Sequence, residues 1–210
     1  MKRAPDVVLA TRNAGKLREL RELVAGSLLT WHGLAEFPHV PDAEETGHTF
    51  AENARLKALH YCRATGLPTL ADDSGLEVDA LRGEPGVCSA RYAGTPRDDA
   101  ANNRKLILAL TAVPPERRVA RFRCAMAFAE GGAVRLETEG VVEGLVIDPP
   151  RGHNGFGYDP HFLLPDLGRT VAELPAEQKH ARSHRGQALR AMLPKVDALL
   201  RGRAAPDAPS

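Results

Sequence analysis

Asp72, Asp73 and Ser74 stand together between a short apolar run and Gly75. Ionised carboxylates beside buried apolar residues are unfavourable unless they are paired, hydrogen-bonded or bound to a cation. One interpretation is a β-turn, because Asp, Ser and Gly are the usual residues of turns. The other is a site at the end of a strand, where hard carboxylate oxygens hold a divalent metal ion or accept a proton as a general base. The stretch by itself leaves both interpretations open.

A second stretch whose residues could bind a ligand lies near the N-terminus, in residues 11–16. The apolar run over residues 6–10 predicts a buried strand, and Leu17, Leu20 and Leu23 predict a helix after it. Backbone N–H groups where a helix begins can hold an anion such as phosphate. The full pattern of a P-loop is absent, so an ordinary strand-to-helix turn explains the stretch equally well. The residues concerned are Thr11, Arg12, Asn13, Ala14, Gly15 and Lys16.

Three further segments carry polar groups that could reach a common site. Glu44 lies in an acidic, turn-prone stretch before a predicted helix over residues 49–64, on which Asn53 and Lys57 are one turn apart. Solvated charge on an exposed helix face explains that pair as well. Residues 146–160 are rich in glycine and contain aromatic residues, which favours either a surface loop or a loop that stacks on a planar base. Five residues that can carry positive charge lie between positions 179 and 185, at the start of the last predicted helix.

Strands and helices with clear signals surround these segments. The alternation over residues 117–130, a pair of glycines and the apolar residues of 134–142 predict a β-hairpin. Thr95 and Pro96 have the residue types of a helix N-cap and first helical position, which predicts a helix from there through Leu110. Pro194 lies within the apolar pattern of the last helix and is expected to kink or end it near Leu193.

Composition narrows the class of protein. With 210 residues, 43% of them hydrophobic and 26% charged, the chain is expected to form one soluble globular domain with a full core. No apolar run has the length of a membrane span, and the first residues lead directly into a strand, so a cytoplasmic protein without a membrane segment is expected. A formal net charge of +1 argues against stable nucleic-acid binding. The three cysteines lack the spacing of a zinc site or a disulfide framework.

Six motifs occur in the order and at the spacing of a known family. They are ATRNAGK at residues 10–16, EETG at 44–47 followed by ENA at 52–54, LADDSGL at 70–76, PG at 85–86 followed by SARY at 89–92, GFGYDP at 155–160 and SHRG at 183–186. From about Val7 to Leu200 the chain resembles the inosine/xanthosine triphosphate pyrophosphatase family, the house-cleaning enzymes often called Ham1-like. Six ordered motifs make this resemblance specific.

The resemblance implies an activity and a fold. The implied reaction is Mg²⁺-dependent hydrolysis of ITP, dITP and XTP to the nucleoside monophosphate and pyrophosphate. The implied fold is α/β, with a long mixed central β-sheet flanked by helices, two lobes and a cleft between them, commonly as a homodimer. We expect residues 1–203 to form this single two-lobed domain, and residues 204–210, which lack apolar bulk, to be a disordered tail.

The resemblance also implies a role for each motif. Glu44 and Asp73 would ligate Mg²⁺, and Asp73 would also accept the proton of the attacking water. We expect Asp72, Asn53 and Lys57 to support these groups. The residues implied to bind the nucleotide are Thr11, Arg12, Asn13, Ala14, Gly15 and Lys16 at the phosphates, Ser74, the base loop Phe156, Gly157, Tyr158 and Asp159, and the C-terminal group Lys179, His184 and Arg185.

Two alternatives remain at this stage. A related pyrophosphatase could act on modified pyrimidine or methylated nucleotides, against which the base loop and residues 183–186 argue. A nucleotide-binding module could keep the pocket without turnover, but binding alone would not need Glu44 together with a positioned base such as Asp73.

Overall fold

One mixed β-sheet forms the centre of the fold. A computed structural model describes residues 4–202, and the residues predicted to form the tail, 204–210, lie outside this range. The strands are β1 (Asp6–Leu9), β2 (Thr30–Gly33), β3 (Thr69–Val78), β4 (Val119–Glu130), β5 (Ala133–Val146), β6 (Phe162–Leu164) and β7 (Arg169–Thr170). Their order in the sheet is β2-β1-β3-β4-β5-β6-β7. β1 runs parallel to β2 and β3, whereas the later neighbours are antiparallel.

Helices flank this sheet within the described range. The α-helices are α1 (Ala14–Val24), α2 (Phe50–Thr65), α3 (Asp99–Ala109), α4 (Ala176–Arg182) and α5 (His184–Gly202). Short 3-10 helices occur at Leu34–Glu36, Asp79–Leu81, Gly86–Arg91, Pro115–Arg117, Asp159–His161 and Val171–Glu173. The architecture confirms the predicted α/β class with a long mixed sheet flanked by helices. None of the helices within residues 4–202 combines the length and the hydropathy of a membrane span.

Each face of the sheet receives its own helices, because side chains alternate along the strands. Val7 and Leu9 of β1 pack with α1 and α5 on one face, whereas Val8 packs with α2 on the other. A third apolar cluster joins the later strands to α3 and contains Leu106 and Phe122. The central strands are thus covered on both faces, which explains why they are apolar along most of their length.

The acidic pair lies inside β3, and the strand is continuous through it. Thr69–Val78 pairs with β4 over its whole length, and Asp72 and Asp73 lie opposite Met126 and Ala125. The β-turn interpretation is therefore wrong, and so is the position at a strand end. Asp, Ser and Gly favour turns, but this segment is extended. The long ladder with β4 and the apolar neighbours on both faces stabilise the strand.

The start of α3 differs from its prediction. The N-cap is Asp98, whose side chain accepts a 2.9 Å hydrogen bond from the amide of Ala101, and the helix begins at Asp99. Thr95 and Pro96 therefore precede the helix. Aspartate is a stronger N-cap than threonine, which favours the later start.

The last helix also differs, because α5 continues through Pro194 to Gly202. The predicted end of the helix near Leu193 is therefore wrong, whereas the predicted alternative, a kink at Pro194, stays a prediction. Pro194 is exposed, so water can reach the carbonyl group that a proline leaves unbonded. Met192 and Val196, on either side of the proline, are buried and keep the helix packed on the sheet.

The first turn of α5 lies directly against β5. A Cβ atom at Gly140 would overlap the carbonyl oxygen of His184 and would lie 2.8 Å from the amide nitrogen of Ala188. Thr138, on the same face of the strand, donates a 2.8 Å hydrogen bond to the carbonyl of Ala188. This close approach fixes where α5 begins relative to the sheet.

Gly140→Ala should lower the free energy of unfolding by about 1–3 kcal/mol, because the added methyl group must displace the backbone of α5. Urea denaturation measures the change. Gly26→Ala is the matched control, since nothing lies within 4 Å of a Cβ at that position. The control should stay within about 0.5 kcal/mol of the wild-type chain. Equal stability of the two variants would show that the contact with α5 is unimportant.

His184, the first residue of α5, is buried. Its ring stacks on Phe122 with the ring centroids 5.0 Å apart. Burial lowers the pKa of His184 well below its ordinary value of 6.5, and the charges of Arg185 and Lys179 lower it further. The folded protein therefore holds this imidazole in its neutral form.

A neutral buried imidazole predicts a loss of stability in mild acid. Below pH 6.5 His184 takes up a proton in the unfolded chain but not in the folded one. The free energy of unfolding should therefore fall as the pH falls, by up to about 1.4 kcal/mol per pH unit. Urea denaturation near pH 7.5 and near pH 5.5 measures this slope. His184→Gln should show a shallower slope, and an unchanged slope would contradict the assignment to His184.

Candidate active site

The alternation of β3 sends its two acids to opposite faces of the sheet. Asp72 points toward α1 and α5, and its carboxylate pairs with Lys16 at 3.0 Å and with Arg185 at 3.4 Å. Arg185 also donates a 2.8 Å hydrogen bond to Ser74, two residues further along the same face. Burial would raise the pKa of Asp72, but the charges of Lys16 and Arg185 lower it strongly overall. Asp72 is thus an ionised carboxylate shared by two cations.

Glu19 of α1 extends this buried cluster. Its carboxylate pairs with Lys179 at 2.5 Å and accepts a short hydrogen bond from Arg185. Lys179 also pairs with Asp159 at 2.6 Å. Burial would raise the pKa of Glu19, but Arg185 and Lys179 lower it overall. The residue is only 4% exposed, so these cations rather than water compensate its charge.

Sequence reasoning missed Glu19. The residue lies three positions after Lys16 and therefore on the same side of α1, which is the one local signal that it carries. A glutamate on an amphipathic helix is ordinarily solvated. Its burial results from Lys179 and Arg185, which are distant in sequence, and no local pattern reveals that contact.

Asp73 points the other way, toward α2. Lys57 pairs with one carboxylate oxygen at 2.8 Å, and Asn53 donates to the other at 3.3 Å. The structure thus brings both members of the predicted helix pair to Asp73. Glu45 lies 3.4 Å from the same Lys57 ammonium group. Burial would lower the pKa of Lys57, but Asp73 and the neighbouring carboxylates raise it overall, so the lysine is charged.

The turn before α1 forms one wall of the space beside Asp73. Asn13 is the N-cap of α1, and its side chain accepts hydrogen bonds from the amides of Gly15 at 3.0 Å and Lys16 at 3.2 Å. Arg12 reaches residues 40–42, where it pairs with Asp42 and donates to a backbone carbonyl at 2.8 Å. Ala14, the first residue of the helix, is exposed.

A cavity of about 480 Å³ opens between this turn and Asp73. Thr11 and Asn13 contribute polar groups to its wall. Its charged lining residues are Arg12, Lys16, Asp42, Glu45, Lys57, Asp73, Arg91 and Arg97. Cations that surround a few carboxylates in a cavity of this size suit a polyphosphate chain that binds together with a divalent cation.

The loop of residues 155–159 forms the other part of the site. Asp159 accepts a 2.9 Å hydrogen bond from the amide of Phe156 as well as the bond from Lys179. The Phe156 ring lies directly on Gly15, where a Cβ would be 2.6 Å from the ring. Lys179 and Arg185 lie 5.1 Å and 5.8 Å from the ring centroid, within the range of cation–π interaction. The base loop and the first turn of α1 therefore meet at this ring.

Two other predicted nucleotide-binding residues lie further inside. Tyr158 is buried and donates a 2.8 Å hydrogen bond to the carbonyl of Ser89, and burial raises its pKa. His184 is the ring stacked on Phe122. Both side chains line a small cavity of about 60 Å³ that also touches Phe156. The structure thus gathers Tyr158 and His184 around one small cavity beside Phe156.

Glu44 is exposed, whereas its neighbour Glu45 lines the cavity beside Asp73. The assignment of Glu44 as a metal ligand therefore stays a prediction. Within residues 4–202, no three Asp, Glu, His or Cys side chains cluster closely enough for a metal site made by the protein alone. Mg²⁺ is usually held by one or two carboxylates together with substrate phosphates and water, so the oxygens of Asp73 and Glu45 fit this ion.

Known proteins resemble this chain in sequence along most of its length. The model of the Ham1 family matches residues 7–195. A protein of Geobacter sulfurreducens named dITP/XTP pyrophosphatase is 52% identical over 183 residues, which cover 87% of this chain and 92% of the relative. A protein of Nitratidesulfovibrio vulgaris with the same name is 51% identical over 202 residues, which cover 93% of this chain and 98% of the relative.

A solved structure shows the same arrangement of elements. The HAM1 protein from Coxiella burnetii superposes with a TM-score of 0.83 at 46% sequence identity, and the match covers 92% of this chain and 98% of that protein. The sequence match includes β3, with both of its acids, and all five helices up to the middle of α5. The chain therefore belongs to the Ham1 family.

Proposed function

We propose that this chain is a Mg²⁺-dependent nucleoside triphosphate pyrophosphatase that hydrolyses ITP, dITP and XTP to the monophosphate and pyrophosphate. The observation that carries the proposal is the separation of two adjacent acids, Asp72 among the cations near the base loop and Asp73 at the larger cavity. Membership of the Ham1 family and relatives named dITP/XTP pyrophosphatase support it.

The phosphate side of the site contains the groups that hydrolysis needs. Asp73 is the candidate to accept the proton of the attacking water, and Asn53 holds its carboxylate in position. Attack at the α-phosphorus makes pyrophosphate the leaving group. Lys16 and Lys57 line the same cavity and would offset the negative charge that develops on pyrophosphate.

The carboxylate oxygens of Asp73 and of the acids near it are suited to bind Mg²⁺. Glu44 is the ligand that the family resemblance implies, and Glu45 is the acid that shares the cavity with Asp73. When bound, Mg²⁺ would neutralise phosphate charge and polarise the phosphate oxygens. The chain's own contribution is to keep these acids close together, with Lys57 between them.

The base side explains a preference for purines with a 6-keto group. Arg185 has five N–H donors. Within the described part of the chain, three of them bond to Asp72, Glu19 and Ser74, so two stay available for the O6 acceptor of a base stacked near Phe156. The 6-amino group of adenine would face these donors and leave buried groups unpaired, at about 1–3 kcal/mol each.

The family resemblance supports further parts of the proposal. These are a single two-lobed domain with the site in its cleft, a homodimer and a cytoplasmic location. The small-molecule nucleotide is the proposed substrate, and light scattering of the purified chain can test the homodimer.

The reaction products test the function directly. With Mg²⁺ we expect ITP to yield IMP and pyrophosphate, and ITP to react faster than dATP or dTTP. In water enriched in ¹⁸O, the label should enter IMP, because the proposed attack is at the α-phosphorus. Chromatography and mass spectrometry measure both outcomes. Release of orthophosphate with a nucleoside diphosphate would exclude the pyrophosphatase reaction, and equal rates on dATP and ITP would exclude the base preference.

Asp73→Asn should lower kcat by at least about 100-fold, because an amide cannot accept the proton of water. Binding of ITP should persist at least in part, because the cations of the site remain, and calorimetry can measure it. Asp79→Asn is the matched control, since Asp79 follows β3 but pairs with Arg121 at the surface. The control should keep near-normal kcat. A near-normal kcat for Asp73→Asn would assign the general base to another residue.

A further inference from the structure

The base loop is also held by α3, which none of the six motifs includes. The amide of Gly157 donates a 2.9 Å hydrogen bond to the carboxylate of Asp99. The carbonyl of Gly157 accepts a 2.9 Å hydrogen bond from the side-chain amide of Asn103. Both backbone polar groups of Gly157 are therefore bonded to one helix, and they lie between Phe156, which faces the base side, and the buried Tyr158.

Arg97 orients the Asp99 carboxylate that accepts the hydrogen bond from the Gly157 amide. Arg97 donates to both of its oxygens, with Nε at 2.8 Å and Nη2 at 3.0 Å. Asp99 is also the first residue of α3, where the helix dipole favours a negative charge. Burial would raise the pKa of Asp99, but the bonds from Arg97 and from the Gly157 amide lower it overall. The acceptor is thus an ionised carboxylate in a fixed position.

α3 is itself anchored to the body of the protein. The side chain of Asn102 accepts a 2.7 Å hydrogen bond from the amide of Ala93 and donates a 3.1 Å bond to the carbonyl of Ala90. Leu106 of α3 is fully buried in the apolar cluster that contains Phe122. Site residues on a rigid element are placed more accurately than residues on a loop. Gly157 therefore takes its position from α3.

These contacts determine where the Phe156 ring lies. The amide of Phe156 is held by Asp159, and the next residue, Gly157, is held by α3. The Arg97 guanidinium lies 5.8 Å from the ring centroid of Phe156, on a side of the pocket formed by the start of α3. The backbone on either side of the Phe156 side chain is thus held by hydrogen bonds.

We propose that Asp99 and Asn103 are positioning residues for base recognition, and that by holding both backbone groups of Gly157 they set the preference of the site for 6-keto purines. This inference rests on the proposed pyrophosphatase function. A displaced Phe156 ring would move the stacked base relative to the donors of Arg185, and small misplacements have large effects on recognition. Neither residue touches the cavity beside Asp73, so the effect should appear in KM and in the choice of base more than in kcat.

Steady-state kinetics with ITP and with ATP test the proposal. Asp99→Ala and Asn103→Asp each remove one hydrogen bond to Gly157, and each should lower the ratio of kcat/KM for ITP to kcat/KM for ATP by roughly 10-fold, mainly through KM. Asp99→Asn keeps an oxygen that can accept the Gly157 amide and should keep the ratio within about 3-fold of wild type. An unchanged ratio in both Asp99→Ala and Asn103→Asp would overturn the proposal.

Asp98→Ala separates positioning from helix stability. It removes the N-cap bond to Ala101 without touching Gly157, so it should lower the melting temperature but leave the ratio unchanged. A change in the ratio equal to that of Asp99→Ala would show that general loosening of α3 is responsible, and would overturn the proposal.

Hydrogen exchange supplies a readout that needs no substrate. The amide of Gly157 should exchange faster in Asp99→Ala than in Asp98→Ala. Equal exchange rates would show that Asp99 does not hold the Gly157 amide.

The nucleotide hydrolysis activity of the wild-type chain is assayed first. If it hydrolyses no nucleoside triphosphate, the proposed function fails and this inference fails with it. If the wild-type chain is active and the variants prefer ITP to ATP by the same ratio as the wild type, only the inference about Asp99 and Asn103 is refuted.

Discussion

Compensation of buried charge on β3 is the constraint on which the rest of the structure depends. A carboxylate in a strand that is covered on both faces must be paired, and removal of one partner leaves a buried charge without compensation. Asp72 is paired by Lys16 from the first turn of α1 and by Arg185 from α5, whereas Asp73 is paired by Lys57 from α2. The alternation of one strand therefore separates the two acids and also fixes the helices that surround the site.

The same charges connect the two sides of the site. Lys16 lines the cavity beside Asp73 and yet pairs with Asp72 on the opposite face of the sheet. From α1, Glu19 binds Arg185 and Lys179, and Lys179 binds the Asp159 carboxylate that holds the base loop. Displacement of α1 would thus disturb Lys179 and Arg185 beside the base loop. Such a network is consistent with a site that binds the triphosphate and the base of one nucleotide at the same time.

The sequence was sufficient where a feature depends on local pattern or on complete motifs. It predicted the α/β class, the hairpin of β4 and β5, and the one-turn spacing that brings Asn53 and Lys57 to Asp73. It was insufficient where contacts between residues that are distant in sequence determine the structure. The turn-forming residues of β3 are held extended by the ladder with β4, and the burial of Glu19 depends on cations from the other end of the chain. Likewise, the bonds from α3 to Gly157 join segments that no local rule relates.

A crystal structure of the chain with ITP, in which Ca²⁺ replaces Mg²⁺ to prevent turnover, tests the separation of roles between the two acids most directly. The proposal predicts the triphosphate in the cavity beside Asp73 and Lys57, with a Ca²⁺ ion bound to Asp73. It also predicts the hypoxanthine ring stacked on Phe156, with its O6 accepting a hydrogen bond from Arg185. A triphosphate bound away from Asp73, or a base that makes no contact with Phe156 and Arg185, would contradict it.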